Sequence, residues 1–362
     1  MSRKITTETK PLQNTQGQLV SFNHAVGHPT AVAAVNRLNA LKVLARFKQA
    51  RALDIAAALF PDRGYKAALS ATQRTLRRLR ADKHVTRYSS DSRRVFYALT
   101  AKGARLLREA AIDGTGDGSA QASASRASEK SNPEHALWSA FAAIACEARG
   151  LRAWTETELK PRLLKKVPGE KMRKQTFPCT YKEGKTEKGL MPDTLAVSDN
   201  AIEFGAVWFE IDRSARGSAR LLDLKKLVQC IGTEINVGEG ERRTLRKVVV
   251  LCKTVGILRR NRSFLTGSSS AVPRLRLEHD SKSPSLIERE GTPGIFDYHL
   301  DGVYGPRVVG QLHLQLLPTH LPSYSYSDGA PQGWFDDGSL PYREPDAAWP
   351  EPIGFERWIA PL

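Results

Sequence analysis

The sequence predicts an α+β protein of two domains, and three observations carry this. Residues 31–112 form a basic block in which helical apolar spacing gives way to two short alternating strands. Residues 113–133, "DGTGDGSAQASASRASEKSNP", are rich in Gly, Ser and Ala and have no apolar period, the composition of a flexible linker. Residues 134–318 interleave apolar helices with buried strands, the pattern of a mixed α/β domain. A polar leader (1–30) and a Pro- and Trp-containing acidic tail (319–362) flank the two. With 362 residues, 41% of them hydrophobic, the chain can build two cores of ordinary size.

Within the basic block, Val35, Leu38, Leu41 and Leu44 recur at helical spacing and predict a helix over 32–48. A second, short helix follows over 52–60, with Leu53, Ala57 and Phe60 inward. A third is predicted over 70–85, opened by a capping box of Ser70 and Gln73. Its apolar positions are Leu76, Leu79 and Val85; its other faces carry Gln73, Arg74, Arg77, Arg78 and Arg80. Residues 86–103 read as two strands, with Val95 and Tyr97 alternating, around a polar turn holding Arg93 and Arg94. A last helix, "AKGARLLREAA", closes the block.

Helix, helix, basic helix, two-stranded wing, helix is the order of a winged helix-turn-helix. A helix fits the major groove of duplex DNA, arginine reads guanine there with two hydrogen bonds, and wing arginines reach phosphate or the minor groove. Gln73, Arg74, Arg77, Arg78, Arg93 and Arg94 are therefore the candidate DNA contacts. Residues 32–112 hold 18 Lys/Arg against 5 Asp/Glu, enough for a strongly salt-dependent contact with double-stranded DNA. A solvated basic helix, or a protein-contact surface, would use the same residues. A two-fold homodimer would suit paired half-sites, although no residue here requires one.

Composition narrows the class further. The net charge of +17 and a pI near 9.8 favour a polyanionic partner. Cys146, Cys179, Cys230 and Cys252 form no CxxC pair and read as small apolar residues of a reducing compartment, neither zinc ligands nor a disulfide frame. The polar N-terminus has no apolar core of a signal peptide, and no apolar run reaches the ~20 residues that span a bilayer. The expectation is a cytoplasmic protein without a membrane partner. Residues 327–362 hold 7 Asp/Glu and 2 Lys/Arg, opposite in sign to the basic block. An extended arm, packed by Trp334, Trp349 and Trp358, is expected there.

In the second region, "PEHALWSAFAAIACEARG" (133–150) predicts a helix, with Pro133 suited to its first turn. Strands are expected at 153–159, from Asp193 onward in "PDTLAVS", in "AVWFEIDR" and at 246–252, with a helix over 218–235. The order is helix, three strands, helix, strand. Residues 266–293 read as an irregular insertion, and 294–318 as one or two more strands. The strand period places Trp208, Glu210 and Asp212 on one face and Val207, Phe209 and Ile211 on the other. Carboxylates at i and i+2 can share one cation, and Asp193 at the mouth of the next strand could add a third oxygen. Hard cations such as magnesium take such oxygen clusters, and a bound magnesium can activate water against a phosphodiester. Asp193, Glu210 and Asp212 are thus the candidate metal ligands and catalytic residues.

These motifs carry a resemblance. "RTLRRLRADKHV…RRVFYALTAKG" resembles the winged-helix domains of many bacterial transcription regulators, and "PD…ExD" on that strand order resembles the PD-(D/E)XK nuclease fold. Taken together, the winged helix, the linker, "HALW", "MPDTLAV" and "WFEIDRSARGSARLLDLKKLVQ" resemble the replication-relaxation family of plasmids and mobile elements, over about residues 32–252. The resemblance implies a restriction-endonuclease-like second domain and a role in plasmid replication, mobilisation or DNA relaxation. It aligns Asp193 with the PD aspartate and Glu210 with the acidic residue of (D/E)XK, with Glu134 as an accessory ligand and His135 near the same cleft. The third position of that motif is lysine; here it is Asp212. An ionised aspartate supplies neither a positive charge nor a donor. Lys225 or Lys226 on the following helix is the candidate replacement, with Arg213 or Arg216 for the electrostatic part alone. Two functions stay open on this reading, a magnesium-dependent nicking enzyme and a non-enzymatic regulator with an altered nuclease fold.

Overall fold

The structure, a computed structural model, describes residues 29–60, 65–89, 95–112, 117–125, 133–148, 151–166, 173–197, 205–213, 217–266, 285–290, 294–302 and 305–317. The leader, the tip of the two-stranded turn with Arg93 and Arg94, most of the 266–293 insertion and the acidic tail lie outside these. The described residues fall into two compact units that divide between Gly150 and Leu151.

The first unit runs α1 (Pro29–Phe47), β1 (Gln49–Ala50), α2 (Ala52–Leu59), α3 (Tyr65–Ala81), β2 (Val85–Ser89), β3 (Val95–Leu99), α4 (Ala101–Ala111) and α5 (Pro133–Ala148). Its sheet is antiparallel with strand order β1-β3-β2. The sequence predicts the two longer strands; β1, only two residues long, is too short to show a period. The core is apolar side chains at helical spacing: Leu41 and Leu44 of α1, Ile55 of α2, Leu76 and Leu79 of α3, with Phe96, Leu99 and Leu107. Each buried leucine of this kind stabilises the fold by about 1.5–3 kcal/mol.

Helix α3 begins at Tyr65, five residues before the expected capping box, and Ser70 lies inside it. Ala68 and Thr72 are fully buried, so the inward row runs 68, 72, 76, 79 and extends the helix past the Ser70 signal. Val85 leaves the helix and starts β2. On α2 it is the N3 residue that caps: Asp54 is fully buried and receives the backbone and guanidinium N–H groups of Arg51 at 2.6–3.0 Å.

The start of α4 explains a glycine. Thr100 caps α4 by accepting from the Gly103 amide at 3.1 Å, and the backbone of His84 lies against the first turn. A Cβ on Gly103 would sit 2.2 Å from the His84 carbonyl oxygen.

The structure adds detail to the expected linker and the following helix. Ser123, 4% exposed, exchanges hydrogen bonds with the Leu99 backbone and donates from its hydroxyl to Lys48 O. The Tyr88 hydroxyl donates to Ala124 O at 2.7 Å and Arg108 to Ala120 O at 2.7 Å. Residues 120–124 are thus bonded to the first unit; serine hydroxyls and bare carbonyls serve as partners there, which composition alone does not reveal. The helix expected to open the second domain, α5, belongs to the first unit. Arg46 of α1 clamps Glu147 with bonds of 3.0 and 2.5 Å, and Gln49 donates to the Pro133 carbonyl.

The second unit contains β4 (Arg152–Thr155), α6 (Glu156–Arg162), β5 (Leu164–Lys166), β6 (Arg173–Gln175), β7 (Cys179–Glu183), β8 (Thr186–Leu190), β9 (Thr194–Val197) and β10 (Ala206–Asp212). It continues with α7 (Ser218–Gln229), β11 (Glu234–Gly238), β12 (Glu241–Cys252), α8 (Val255–Thr266), β13 (Ser285–Glu288), β14 (Ile295–Gly302) and β15 (Gly305–Leu316). The main sheet has eight strands in the order β13-β14-β15-β12-β10-β9-β4, with β11 paired to β12 beside it. β4, β9 and β10 form an antiparallel series, and α7 then crosses to β12, which runs parallel to β10. The expected sequence of strands, crossover helix and strand is present. It is interrupted by α6 and two hairpins, β5–β6 and β7–β8, where one strand over 153–159 was expected. The helix there has a sequence signal: Thr155 and Glu158 form a capping box, with Glu158 accepting from the Thr155 amide at 2.9 Å.

One face of the sheet buries Trp208, Leu195, Val248, Val250 and Leu312 against Leu224, Leu227 and Val228 of α7 and Ile257, Leu258 and Leu265 of α8. The other face carries a polar row. Arg289 donates to Asp297, Gln311 donates to Asp297 at 2.9 Å, and His313 pairs with Gln311 at 3.1 Å and Gln315 at 3.5 Å. Asp297 and His313 both belong to this network.

Candidate functional site

The outward face of α3 is the first candidate. Gln73, Arg74, Arg77 and Arg78 are all exposed, on the side opposite the buried 68, 72, 76, 79 row. Positions 73, 74, 77 and 78 are neighbours on a helix surface, so the four side chains form one stripe. The earlier helix start adds Lys66 and Ser70, both exposed and one or two turns before Gln73 on the same stripe. Sequence reading missed them because it placed Ser70 at the cap. Arg78 is tied at 3.1 Å to Asp82, one turn on, while its side chain remains 68% exposed. The other face is held by core leucines, so the basic stripe is presented by a fixed helix.

The strand carboxylates are the second candidate. Asp193 immediately precedes β9, whose ladder with β10 ends at Thr194 opposite Phe209. Its amide donates to Phe209 O at 3.1 Å, and its Oδ2 accepts from the Ile211 amide at 2.7 Å. The Asp193 carboxylate thereby continues the ladder by one more bond. Glu210, half-buried, accepts at Oε1 from the Trp208 indole N–H at 2.8 Å, as expected for residues on one strand face. Asp212 is 3% exposed and accepts at Oδ2 from Asn261 Nδ2 of α8 at 2.9 Å. Asn261 also reaches Cys252 Sγ at 3.6 Å, and Cys252 is the register partner of Asp212 on β12.

The three carboxylates therefore face separate protein donors. Among the described residues, no three His, Cys, Asp or Glu side chains are grouped so as to hold a metal ion. Asp193, just before β9, lies beside Glu210 of the adjacent β10, and Asp212 bonds to Asn261 of α8. Lys225 and Lys226 are half-buried on α7, and among the described residues neither forms an ion pair with the three acids. Arg213 follows β10 and is half-buried, and Arg216 lies outside the described residues. Glu134 and His135 are half-buried at the start of α5, in the first unit.

Asn261 was not anticipated from the sequence. The available signal was an amide at position 261 in the inward row Ile257, Leu258, Leu265 of an otherwise amphipathic helix. Of the cysteines, Cys146, Cys179 and Cys252 are buried and Cys230 is half-buried, all as free thiols. No described helix is long and apolar enough to cross a membrane.

A family model described as Replication-relaxation matches residues 41–224, half of the chain. The chain belongs to the replication-relaxation family. The match takes in α3 and its basic stripe together with Asp193, Glu210 and Asp212, and it stops one residue short of Lys225. Membership of the replication-relaxation family suggests work in the replication or relaxation of plasmid or mobile-element DNA. No curated protein and no solved structure matches the chain.

Proposed function

We propose that this replication-relaxation protein binds duplex DNA through α3, as the recognition helix of a winged helix-turn-helix. The observation that carries the reading is the exposed stripe Gln73, Arg74, Arg77 and Arg78 on a helix whose opposite face is buried. The order α1, α2, α3, then the β2–β3 pair is the order such a domain requires, and Arg93 and Arg94 stand in the sequence between the two strands. Arginine and glutamine at four adjacent helix positions offer the donors that read base edges in the major groove. The net charge of +17 supplies the salt-dependent part of the affinity.

The second unit, on this reading, is a PD-(D/E)XK-like scaffold that has lost catalysis. Three features support that: the strand order β4-β9-β10-β12 with a helical crossover, Asp193 and Glu210 at the positions of the acidic pair, and Asp212 where the lysine would stand. Asp212 is buried and bonded to Asn261, a structural use of the position that would otherwise orient water. The protein then acts in replication or mobilisation by binding DNA. The deciding experiment for α3 is duplex binding by R74A/R77A/R78A. For the second unit it is incubation of the protein with supercoiled plasmid and magnesium or manganese: intact DNA is expected, and nicking abolished by both D193A and E210A would restore the enzymatic reading.

A further inference from the structure

The segment between β4 and β9 remains without a role. Its β5–β6 and β7–β8 hairpins form two separate two-stranded sheets outside the main sheet. Residues 160–190 hold 10 Lys/Arg and 3 Asp/Glu, a basic concentration that the sequence reading left between elements. We propose that this two-hairpin insertion is a second surface for duplex DNA, one that contacts phosphates without reading bases. The inference rests on the reading of the chain as a DNA-binding protein.

The β7–β8 hairpin is fixed at its base and open at its tip. Cys179 and Leu190, cross-strand partners, are buried in the core of the second unit. The Tyr181 hydroxyl donates to Asp223 Oδ1 of α7 at 2.5 Å. Gly189 lies flat under Phe177; a Cβ there would sit 2.0 Å from the ring. Asn236 of β11 donates its amide to Pro178 O at 3.1 Å. Beyond Tyr181 the chain leaves the core: residues 182–187 are all exposed, turning at Gly184 with φ 61°. A glycine at the first central position is what a two-residue hairpin turn of this hand needs.

The tip chemistry suits a phosphate backbone better than a protein. Residues 182–187, "KEGKTE", contain no aromatic or aliphatic side chain, whereas protein interfaces are anchored by such groups at their centre. Two acids are present: Glu183, which pairs with Lys188, and Glu187, which lies opposite Lys182 in register. Lys174, Lys182 and Lys185 are exposed, and among the described residues none of them forms an ion pair. Flexible ammonium groups on an anchored ribbon provide charge and reach without base-specific geometry.

The test is duplex binding by the full chain, measured by fluorescence anisotropy on 30-bp duplexes of two unrelated sequences at several KCl concentrations. K174A/K182A/K185A is expected to lower the slope of log Kobs against log salt by about 2 to 3, since each lost phosphate contact removes about 0.9. Its preference between the two sequences should match that of wild type, and K174R/K182R/K185R should keep the wild-type slope. An unchanged slope and affinity in the alanine variant overturns the proposal; if R74A/R77A/R78A still weakens binding, the α3 reading stands without it. A reduced slope in the lysine variant beside an unaffected R74A/R77A/R78A supports the insertion and removes α3. Absence of duplex binding by wild type removes both.

Discussion

Asp212 ends β10 with its carboxylate buried and Asn261 as its donor. The pair ties the sheet to α8, and removing Asp212 takes away the oxygen that Asn261 Nδ2 donates to at 2.9 Å. D212A is expected to cost about 1–3 kcal/mol, read as a lower urea midpoint at unchanged slope. D212K, which restores the lysine of the nuclease motif, is expected to destabilise more and to produce no nicking, because it aims an ammonium at an amide donor. His313 gives a second residue-scale expectation. Burial, reinforced by Lys247 and Arg289, pushes its imidazole well below its usual 6.5, so the fold holds it neutral. The unfolded chain binds that proton as pH falls through 6.5 and the native state does not. Stability should therefore be lost below about pH 6.5, by up to about 1.4 kcal/mol per pH unit, with no contribution above it. H313Q should flatten this acid-side loss in urea titrations at pH 7.5 and 5.5; an unchanged pH dependence would show that His313 is not its source. At this scale the acids were legible in the sequence as residue types on a strand face. Their partners were not, because Asn261 is 49 positions from Asp212 and only the folded helix α8 brings it near.

Among the elements, legibility follows the strength of the apolar period. α1, α2 and α4 lie close to their expected ranges, and the inward row of α3 contains the expected Leu76 and Leu79. The start of α3 was misjudged because Ser70 and Gln73 imitate a cap, while alanine and leucine at 67–69 continue the helix backward. The β5–β6 and β7–β8 hairpins escaped notice because strands such as "CTYKE" and "TEKGL" have one apolar residue at the base and charge toward the tip. A long-range bond from Tyr181 to Asp223 of α7 then anchors the β7–β8 hairpin. The element-scale expectation concerns Gly103. Since a Cβ there meets the His84 carbonyl, G103A should move α4 away from the α3–β2 connection and cost about 1–3 kcal/mol. A melting temperature equal to wild type would contradict that close approach.

For the whole molecule, the described residues fall into two units that divide between Gly150 and Leu151. The division falls there because α5 is held by Arg46 and Gln49 of the first unit, contacts to side chains more than 80 positions away. The family match covers the basic helix and the strand carboxylates alike. On the proposed reading it is the helix that acts on DNA, and its arginines are exposed and lie together. The most direct test is the affinity of the full chain for a 30-bp duplex at fixed salt, wild type against R74A/R77A/R78A. The expected result is at least a tenfold loss, since each good arginine–base contact is worth about 1–3 kcal/mol, with an unchanged urea midpoint. Equal affinity in the two proteins would contradict the assignment of α3 as the DNA-binding helix.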